Sequence, residues 1–320
     1  MTADTRRRGG LTFLSYGFRP FFLAAGLWAV ATMTIRIVNV GDESAGGFYF
    51  GDPTLWHAHE LLFGYAGAVV AGFALTAVPN WTGRLPIAGT PLLVLFSLWI
   101  AGRLALLLPL PSAVVATVDI AFLPVLAGAL AREIVAGRNP RNLPVCALIT
   151  SLALANVIFH LEVSEAIASA GHGSRMGISV LVLLVGLIGG RIVPSFTNNW
   201  FARRRLSRAA TVGPRLDMVA HGLSGAALLA WIVAPYEPLT GAAFLASCAV
   251  HGIRLARWRG WRTWPEPLVL ILHVGYAWIP IGFLLLGSSI LFAPAWASAG
   301  LHALAAGAIG TMTVAVMTRA

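Results

Sequence analysis

The sequence contains no lysine, and charged residues of any kind make up only 11% of its 320 residues. Globular chains carry roughly 25% charged residues. This scarcity, with 58% hydrophobic residues and a mean hydropathy of +0.80, excludes a soluble enzyme and a disordered protein. Only two cysteines are present, Cys146 and Cys248, each alone in an apolar stretch. A disulfide framework and a CxxC metal site are therefore excluded as well.

What the sequence does contain is a series of apolar stretches of about 20 residues, the length that an α-helix needs to cross a bilayer. They predict an all-α, polytopic transmembrane bundle of about ten helices. The predicted spans are residues 20–40, 57–78, 91–109, 113–132, 143–164, 176–195, 215–234, 239–257, 267–288 and 296–317.

All 22 basic residues are arginines, and they cluster in alternate loops. One set of loops holds, among others, Arg6 to Arg8, Arg203 to Arg205, and the arginines at the end of span 8, which are Arg254, Arg257, Arg259 and Arg262. The opposite loops hold only Arg175, and they carry acidic residues such as Asp52, Glu165 and Glu237. By the positive-inside rule both ends of the chain are predicted to be cytoplasmic. This distribution explains the net charge of +10 without nucleic acid or anionic lipid as a partner.

The ends of spans 2 and 6 resemble each other. One reads Ala77-Val78-Pro79-Asn80-Trp81-Thr82 and the other Ile192-Val193-Pro194-Ser195-Phe196-Thr197. This favours one transmembrane domain, residues 1–320, built from four-helix repeats at 18–140, 141–262 and an incomplete 263–320. Chance similarity between apolar helices explains the pattern equally well.

Ionisable side chains are costly to bury in a membrane and mark candidate functional sites. Seven of the eight histidines lie in or at the ends of predicted helices, and His172 is expected in a solvated outer loop. Near the outer face we expect His57, His59, His160 and His302, and near the cytoplasmic face His221, His251 and His273. Imidazole suits haem iron and copper, so both sets are candidate haem or metal ligands. A hydrogen bond to a neighbouring carbonyl or serine is the alternative for any one of them.

Other ionisable groups lie at the same levels. Three outer carboxylates are candidate proton donors or members of a histidine–carboxylate metal site, namely Glu60, Glu162 and Asp119. An interfacial polar cluster is the alternative. Three arginines are candidate partners for haem propionates, namely Arg36, Arg103 and Arg191. Snorkelling to the interface is the alternative for Arg36 in particular. Asp217 either orients His221, four residues later, or caps its helix.

Several motifs resemble those of the NnrS family. In the first half these are Phe18-Arg19-Pro20-Phe21-Phe22, Trp56-His57-Ala58-His59-Glu60, Ala77 to Gly83, and Asn156-Val157-Ile158-Phe159-His160. In the second half they are Gly189 to Thr197, and His302 to Arg319. The match covers nearly the whole chain. NnrS proteins typically have about twelve helices, so two more would be expected after Arg319.

The resemblance implies a protein of the bacterial inner membrane that contains haem, of b type, and also copper or non-haem iron. It further implies a role in the nitric oxide response and in defence against nitrosative stress. One hypothesis is an enzyme that reduces NO with electrons from quinol or a protein donor, converting two NO, two electrons and two protons into nitrous oxide and water. The alternative is a non-catalytic haem or copper protein that senses NO or handles metal.

Overall fold

A computed structural model describes residues 12–39, 49–168, 170–207 and 213–319. These residues are helical, joined by turns and short 3₁₀ segments, and they include no strand. Ten apolar helices are labelled here α1 to α10. They are Phe18–Val38, Pro53–Thr82, Thr90–Ala105, Ser112–Ala136, Leu143–Val163, His172–Arg203, Pro214–Val233, Pro238–Arg257, Pro267–Leu291 and Pro294–Met317. The predicted cytoplasmic arginines Arg6, Arg7 and Arg8 lie outside the described residues.

The predicted all-α membrane bundle is confirmed. Within the described residues nine helices are long and apolar enough to cross a bilayer, and α3 is a shorter apolar helix of 16 residues. The span predicted for α3, residues 91–109, was too long. Pro109 and Pro111 follow the helix, and the residue before a proline disfavours the α conformation. The chain is therefore a multi-pass membrane protein.

Two helices begin earlier than predicted. α2 begins at Pro53, where the Asp52 carboxylate accepts the backbone N–H of Thr54 at 2.6 Å and caps the helix. α6 begins at His172 and runs through Pro194 to Arg203. His172 is thus the first residue of a helix, and its placement in a loop was wrong.

Two of the helices contain π-helical segments, Glu60–Tyr65 in α2 and Ala303–Gly310 in α10. Such segments, with hydrogen bonds from i to i+5, are rare and often lie at functional sites. Each segment directly follows a histidine, His59 or His302. In α2 the widened turn begins where His59 and Glu60 are both completely buried.

The chain divides into two compact units. Unit 1 ends at Ser174 and contains α1 to α5, and unit 2 begins at Arg175 and contains nearly all of α6 with α7 to α10. The four-helix repeat, the single domain and the cytoplasmic location of both ends stay predictions. The polar side chains of each unit are described separately below.

Candidate functional site

A buried polar network joins four helices of unit 1. No member is more than 4% exposed, and the members are His59, Glu60, Arg103, Asp119, Asn156 and His160. They come from α2, α3, α4 and α5. Because buried polar groups need partners, every contact in this unit 1 network bears on its function.

Arg103 lies between two carboxylates. Its Nη1 donates to Oε1 of Glu60 at 2.5 Å, and its Nη2 donates to Oδ1 of Asp119. The second oxygen of Glu60 accepts the indole N–H of Trp28 at 2.5 Å. Gly64 leaves room for the guanidinium of Arg103, because a methyl group at this position would collide with it. One cation thus compensates two buried anions, a geometry that offsets part of their desolvation cost.

Two imidazoles converge on the carboxylate of Asp119. Nε2 of His59 lies 3.2 Å and Nε2 of His160 lies 2.9 Å from the same oxygen, Oδ2. The opposite ring nitrogens also have partners. Nδ1 of His59 is 2.9 Å from Oε1 of Glu60, and Nδ1 of His160 is 3.4 Å from the hydroxyl of Tyr49. Metal-binding histidines have this geometry, with one nitrogen toward the ion and the other fixed by a hydrogen bond.

The donor atoms of His59, Asp119 and His160 lie within 4.8 Å of one another. Asn156 adds an amide between them, since its Oδ1 is 2.9 Å from Nε2 of His59 and its Nδ2 donates to Oδ2 of Asp119 at 2.8 Å. Sequence reasoning did not select Asn156 as a site residue. Its position four residues before His160 was the available signal, because such residues share a helix face.

Aromatic rings enclose the imidazole of His59. The ring centroids of Phe50, Phe63 and Phe159 lie 4.8, 5.1 and 5.2 Å from it. The imidazole of His59 is thus enclosed by these rings and has the side chain of Asn156 directly at Nε2. Tyr49 lies at the edge, outside the membrane-spanning segments, and its pKa is raised by burial and by the negative charge of Asp119.

A second buried network is centred on Arg254 of α8. Its Nε and Nη2 donate to Oδ1 of Asp217 at 2.7 and 2.6 Å, and its Nη1 donates to the carbonyl of Gly186 and to the hydroxyl of Tyr276. The guanidinium also lies 5.2 Å from the ring centre of Trp258. At 1% exposure Arg254 is a core residue. It lies in the last turn of α8, as predicted for this helix end, but its side chain is buried.

Two of the three predicted inner histidines lie beside this arginine. His251 has both nitrogens engaged, with Nδ1 2.8 Å from the hydroxyl of Tyr276 and Nε2 2.7 Å from Oγ of Ser224. Nδ1 of His221 donates to the backbone carbonyl of Asp217 at 2.6 Å. Its Nε2 is buried and has no hydrogen bond among the described residues. His221 therefore keeps one imidazole lone pair for another ligand.

The other two histidines of unit 2 lie apart from this pair. Nε2 of His273 is 2.8 Å from Oγ1 of Thr197. His302 is exposed, and its Nδ1 donates to the carbonyl of Ser298 at 2.8 Å. The structure thus brings together His221 and His251 but does not join His273 to them.

Glu162, a predicted proton donor, lies outside the two networks. Glu162 accepts the backbone N–H groups of His172 and Gly173 at 2.8 and 3.0 Å, so it caps α6. Asp217, for which two roles were open, uses its carboxylate for Arg254 and its carbonyl for His221. Three further residues are half-buried or exposed on their helices, namely His57, Arg36 and Arg191.

The comparison with protein families gives a match that covers nearly the whole chain. A family model described as NnrS protein matches residues 12–320. The chain belongs to the NnrS family. No curated protein and no solved structure gave a match.

The motifs that suggested NnrS meet in the two networks. His59 and Glu60 come from one NnrS motif of α2, and Asn156 and His160 come from another in α5. The motif Gly189 to Thr197 contributes Gly190, which leaves room for the guanidinium of Arg254. The NnrS motifs therefore supply much of the buried polar network of unit 1 and, in unit 2, the glycine against which Arg254 packs.

Proposed function

We propose that this NnrS protein is a haem-containing metalloprotein of the bacterial inner membrane that reduces or otherwise detoxifies nitric oxide. Electrons would come from quinol or a protein donor. Family membership supports the nitric oxide response. The observation that carries the metal site is the convergence of His59, Asp119 and His160, whose donor atoms lie within 4.8 Å of one another in a fully buried position.

The donor set of unit 1 fits copper or non-haem iron. Two imidazoles and one carboxylate are typical ligands of these ions. With an ion held by the two Nε2 atoms and Oδ2, the Nδ1–H of His59 donates to Glu60 and that of His160 to Tyr49. Arg103 keeps the carboxylates of Glu60 and Asp119 in place. A bound copper or iron centre would supply NO binding and electron transfer.

A continuous series of polar groups leads from the edge of unit 1 to Glu60. It runs from Tyr49 through His160, Asp119 and His59, with separations between 2.9 and 3.4 Å. This series describes the network without an ion, in which each imidazole contacts a partner through both nitrogens. With a metal on the two Nε2 atoms, each imidazole would take part only through Nδ1. Reduction of two NO molecules consumes two protons. Glu60, beside the proposed ligands, keeps the proposed role of proton donor, whereas Asp119 would serve as a metal ligand.

The haem of this proposal has better candidate ligands in unit 2. His221 and His302 each donate Nδ1–H to a carbonyl of the same helix, which fixes the ring and leaves Nε2 as the ligating atom. Neither Nε2 has a hydrogen bond among the described residues. His251 has the weaker case, because both of its nitrogens have hydrogen-bond partners, whereas the buried Nδ1 of His273 has none among the described residues.

The proposal is tested by metal analysis and absorption spectra of the detergent-purified protein, oxidised and reduced, before and after NO. We expect a b-type spectrum together with copper or non-haem iron. His59→Ala, His160→Ala and Asp119→Asn should each remove the second metal and leave the haem bands, whereas His221→Ala should change the haem bands. His172→Ala is the matched control, since that imidazole is 40% exposed. Size-exclusion profiles identify variants that fail to fold.

Turnover separates the enzyme from the non-catalytic alternative. An enzyme supplied with reductant consumes NO repeatedly, and an electrode records this directly. Consumption that stops after one equivalent per site would favour a sensor or metal-handling protein. Unchanged metal content in all three unit 1 variants would show that the unit 1 network is not the metal site.

A further inference from the structure

One end of unit 2 concentrates arginine and tryptophan. There the end of α6 meets the junction of α8 and α9, because the guanidinium of Arg262 lies 5.0 Å from the ring centre of Phe201. The 3₁₀ turn Gly260–Thr263 connects the two later helices. Six arginines belong to this arginine end, namely Arg203, Arg204, Arg205, Arg257, Arg259 and Arg262.

The arginine end carries uncompensated positive charge. Among the described residues, no carboxylate lies within ion-pair distance of any of its six arginines. Unit 1 differs, because two of its helix-end arginines share Glu133. Nε of Arg84 and Nη2 of Arg132 lie 2.6 and 2.9 Å from its carboxylate oxygens. Arg138 and Arg141 of unit 1 are exposed and have no ion pair in the described part of the chain either, so unit 2 is distinguished by the number of unpaired arginines gathered at one end.

Indole side chains flank these arginines. Trp261 is 67% and Trp264 is 78% exposed, although Trp258 in the same segment is completely buried. A third indole, Trp200, has the guanidinium of Arg204 5.8 Å from its ring centre. Exposed tryptophans in membrane proteins prefer the level of the lipid headgroups. The arginines beside them therefore lie at the level of the lipid phosphates.

We propose that the arginine end binds the headgroups of anionic phospholipids. Guanidinium groups match phosphate oxygens in charge and in bidentate geometry, and the exposed indoles supply contacts with the acyl-chain boundary. Sequence analysis assigned these arginines to topology alone. Because these arginines lack ion pairs and have exposed tryptophan neighbours, they are also available to bind lipid phosphate groups. This site is independent of the metal chemistry proposed above.

Two of the six arginines allow a clean test. Arg205 and Arg259 have φ of 55° and 56°, in the left-handed region where glycine is the favoured residue. Replacing them with glycine removes charge without adding backbone strain. Arg138 of unit 1 is the matched control, because it is an exposed arginine just after a helix end with a φ of 50°.

The experiment is native mass spectrometry of the full chain in detergent, titrated with phosphatidylglycerol or phosphatidylcholine. The wild type should retain phosphatidylglycerol in preference to phosphatidylcholine. Each of Arg205→Gly and Arg259→Gly should lower the affinity for phosphatidylglycerol about fivefold, which corresponds to about 1 kcal/mol per arginine. Arg138→Gly should bind as the wild type does. Trp261→Ala should weaken the binding of both lipids.

Three outcomes would overturn the proposal. The first is equal retention of the two lipids by the wild type. The second is equal loss of phosphatidylglycerol in Arg138→Gly and in the double variant Arg205→Gly/Arg259→Gly. The third is displacement of the lipid by inorganic phosphate at equal concentration, which would make this a site for free phosphate.

Discussion

The two units contain a similar arrangement of side chains around a buried arginine, but the chemistry of that arrangement differs. Each buries one arginine, Arg103 or Arg254, against a glycine of a long helix, Gly64 or Gly190. Each also places a tyrosine hydroxyl at Nδ1 of a histidine. That distance is 3.4 Å between Tyr49 and His160, and 2.8 Å between Tyr276 and His251. The difference lies in the partners of the arginine.

In unit 1 the arginine has two carboxylate partners, and both side chains are 0% exposed. In unit 2 it has one, Asp217, whose side chain is 36% exposed, together with a carbonyl and a hydroxyl. Unit 1 therefore holds an excess of acceptors close to two imidazoles, an arrangement suited to a cation. Unit 2 leaves the buried Nε2 of His221 without a hydrogen bond among the described residues, an arrangement that would suit a ligand of haem iron.

Removing the arginines should give the largest difference between the units. Arg103→Met leaves Glu60 and Asp119 buried without their cation, and breaking such a pair costs about 3–5 kcal/mol. Arg254→Met leaves Asp217, which water can reach, so the expected cost is about 1–3 kcal/mol. Thermal unfolding of both variants in the same detergent measures the difference.

Arg84→Met is the control for this pair of variants. Its side chain is 47% exposed, and Glu133 keeps Arg132 as a partner at 2.9 Å, so the expected cost is about 0–1 kcal/mol. An Arg254→Met variant as unstable as Arg103→Met would contradict the comparison, since the exposure of Asp217 would then have no effect.

The glycines should give an intermediate effect. A methyl group at Gly64 or Gly190 would collide with the guanidinium of Arg103 or Arg254, and such overpacking costs about 1–3 kcal/mol. Gly190→Ala should cost at least as much as Gly64→Ala, because its Cβ would come closer to the guanidinium, with Cζ of Arg254 at 2.7 Å. Unfolding midpoints in detergent provide the measurement.

Each glycine has a control on its own helix. Added Cβ atoms at Gly67 and Gly186 would lie 3.7 and 3.8 Å from the nearest side-chain atoms, which is ordinary contact. Gly67→Ala and Gly186→Ala should therefore be close to neutral. Losses as large as those of Gly64→Ala and Gly190→Ala would show that any added methyl group disturbs these helices.

Sequence reasoning predicted the helices well because hydropathy alone determines which segments can cross a bilayer. It also selected His59, His160 and Asp119 from their shared depth. It could not show that all three meet, because the rotation of each helix about its axis depends on packing between residues far apart in sequence. The same limit placed His273 with His221 and His251, although its ring bonds to Thr197.

The predicted depth of a residue in the membrane was also a misleading guide to its contacts near helix ends. Glu162 lies at the predicted level of the unit 1 network but caps the next helix, since four unpaired backbone N–H groups at the start of α6 attract a carboxylate. Arg254 was grouped with the arginines at the cytoplasmic end of its helix, and it does lie in the last turn, but its side chain is buried. Its place three residues after His251 on one helix face was the signal for a buried role.

The smallest effect is expected at the edge of unit 1, where Tyr49 contacts His160. Burial and the charge of Asp119 raise the pKa of Tyr49, so its phenol should stay protonated at a pH where an ordinary tyrosine, with a pKa of about 10, ionises. In an ultraviolet pH titration, the difference between the wild type and Tyr49→Phe should therefore appear above pH ~10.

The hydrogen bond lost in Tyr49→Phe should cost about 0.5–1.5 kcal/mol. Tyr276→Phe should cost more, because that hydroxyl serves both Arg254 and His251 in the core. A Tyr49 phenol that ionises at the ordinary pH would mean that Asp119 is shielded from it, and the series of polar groups from Tyr49 to Glu60 would then begin at His160.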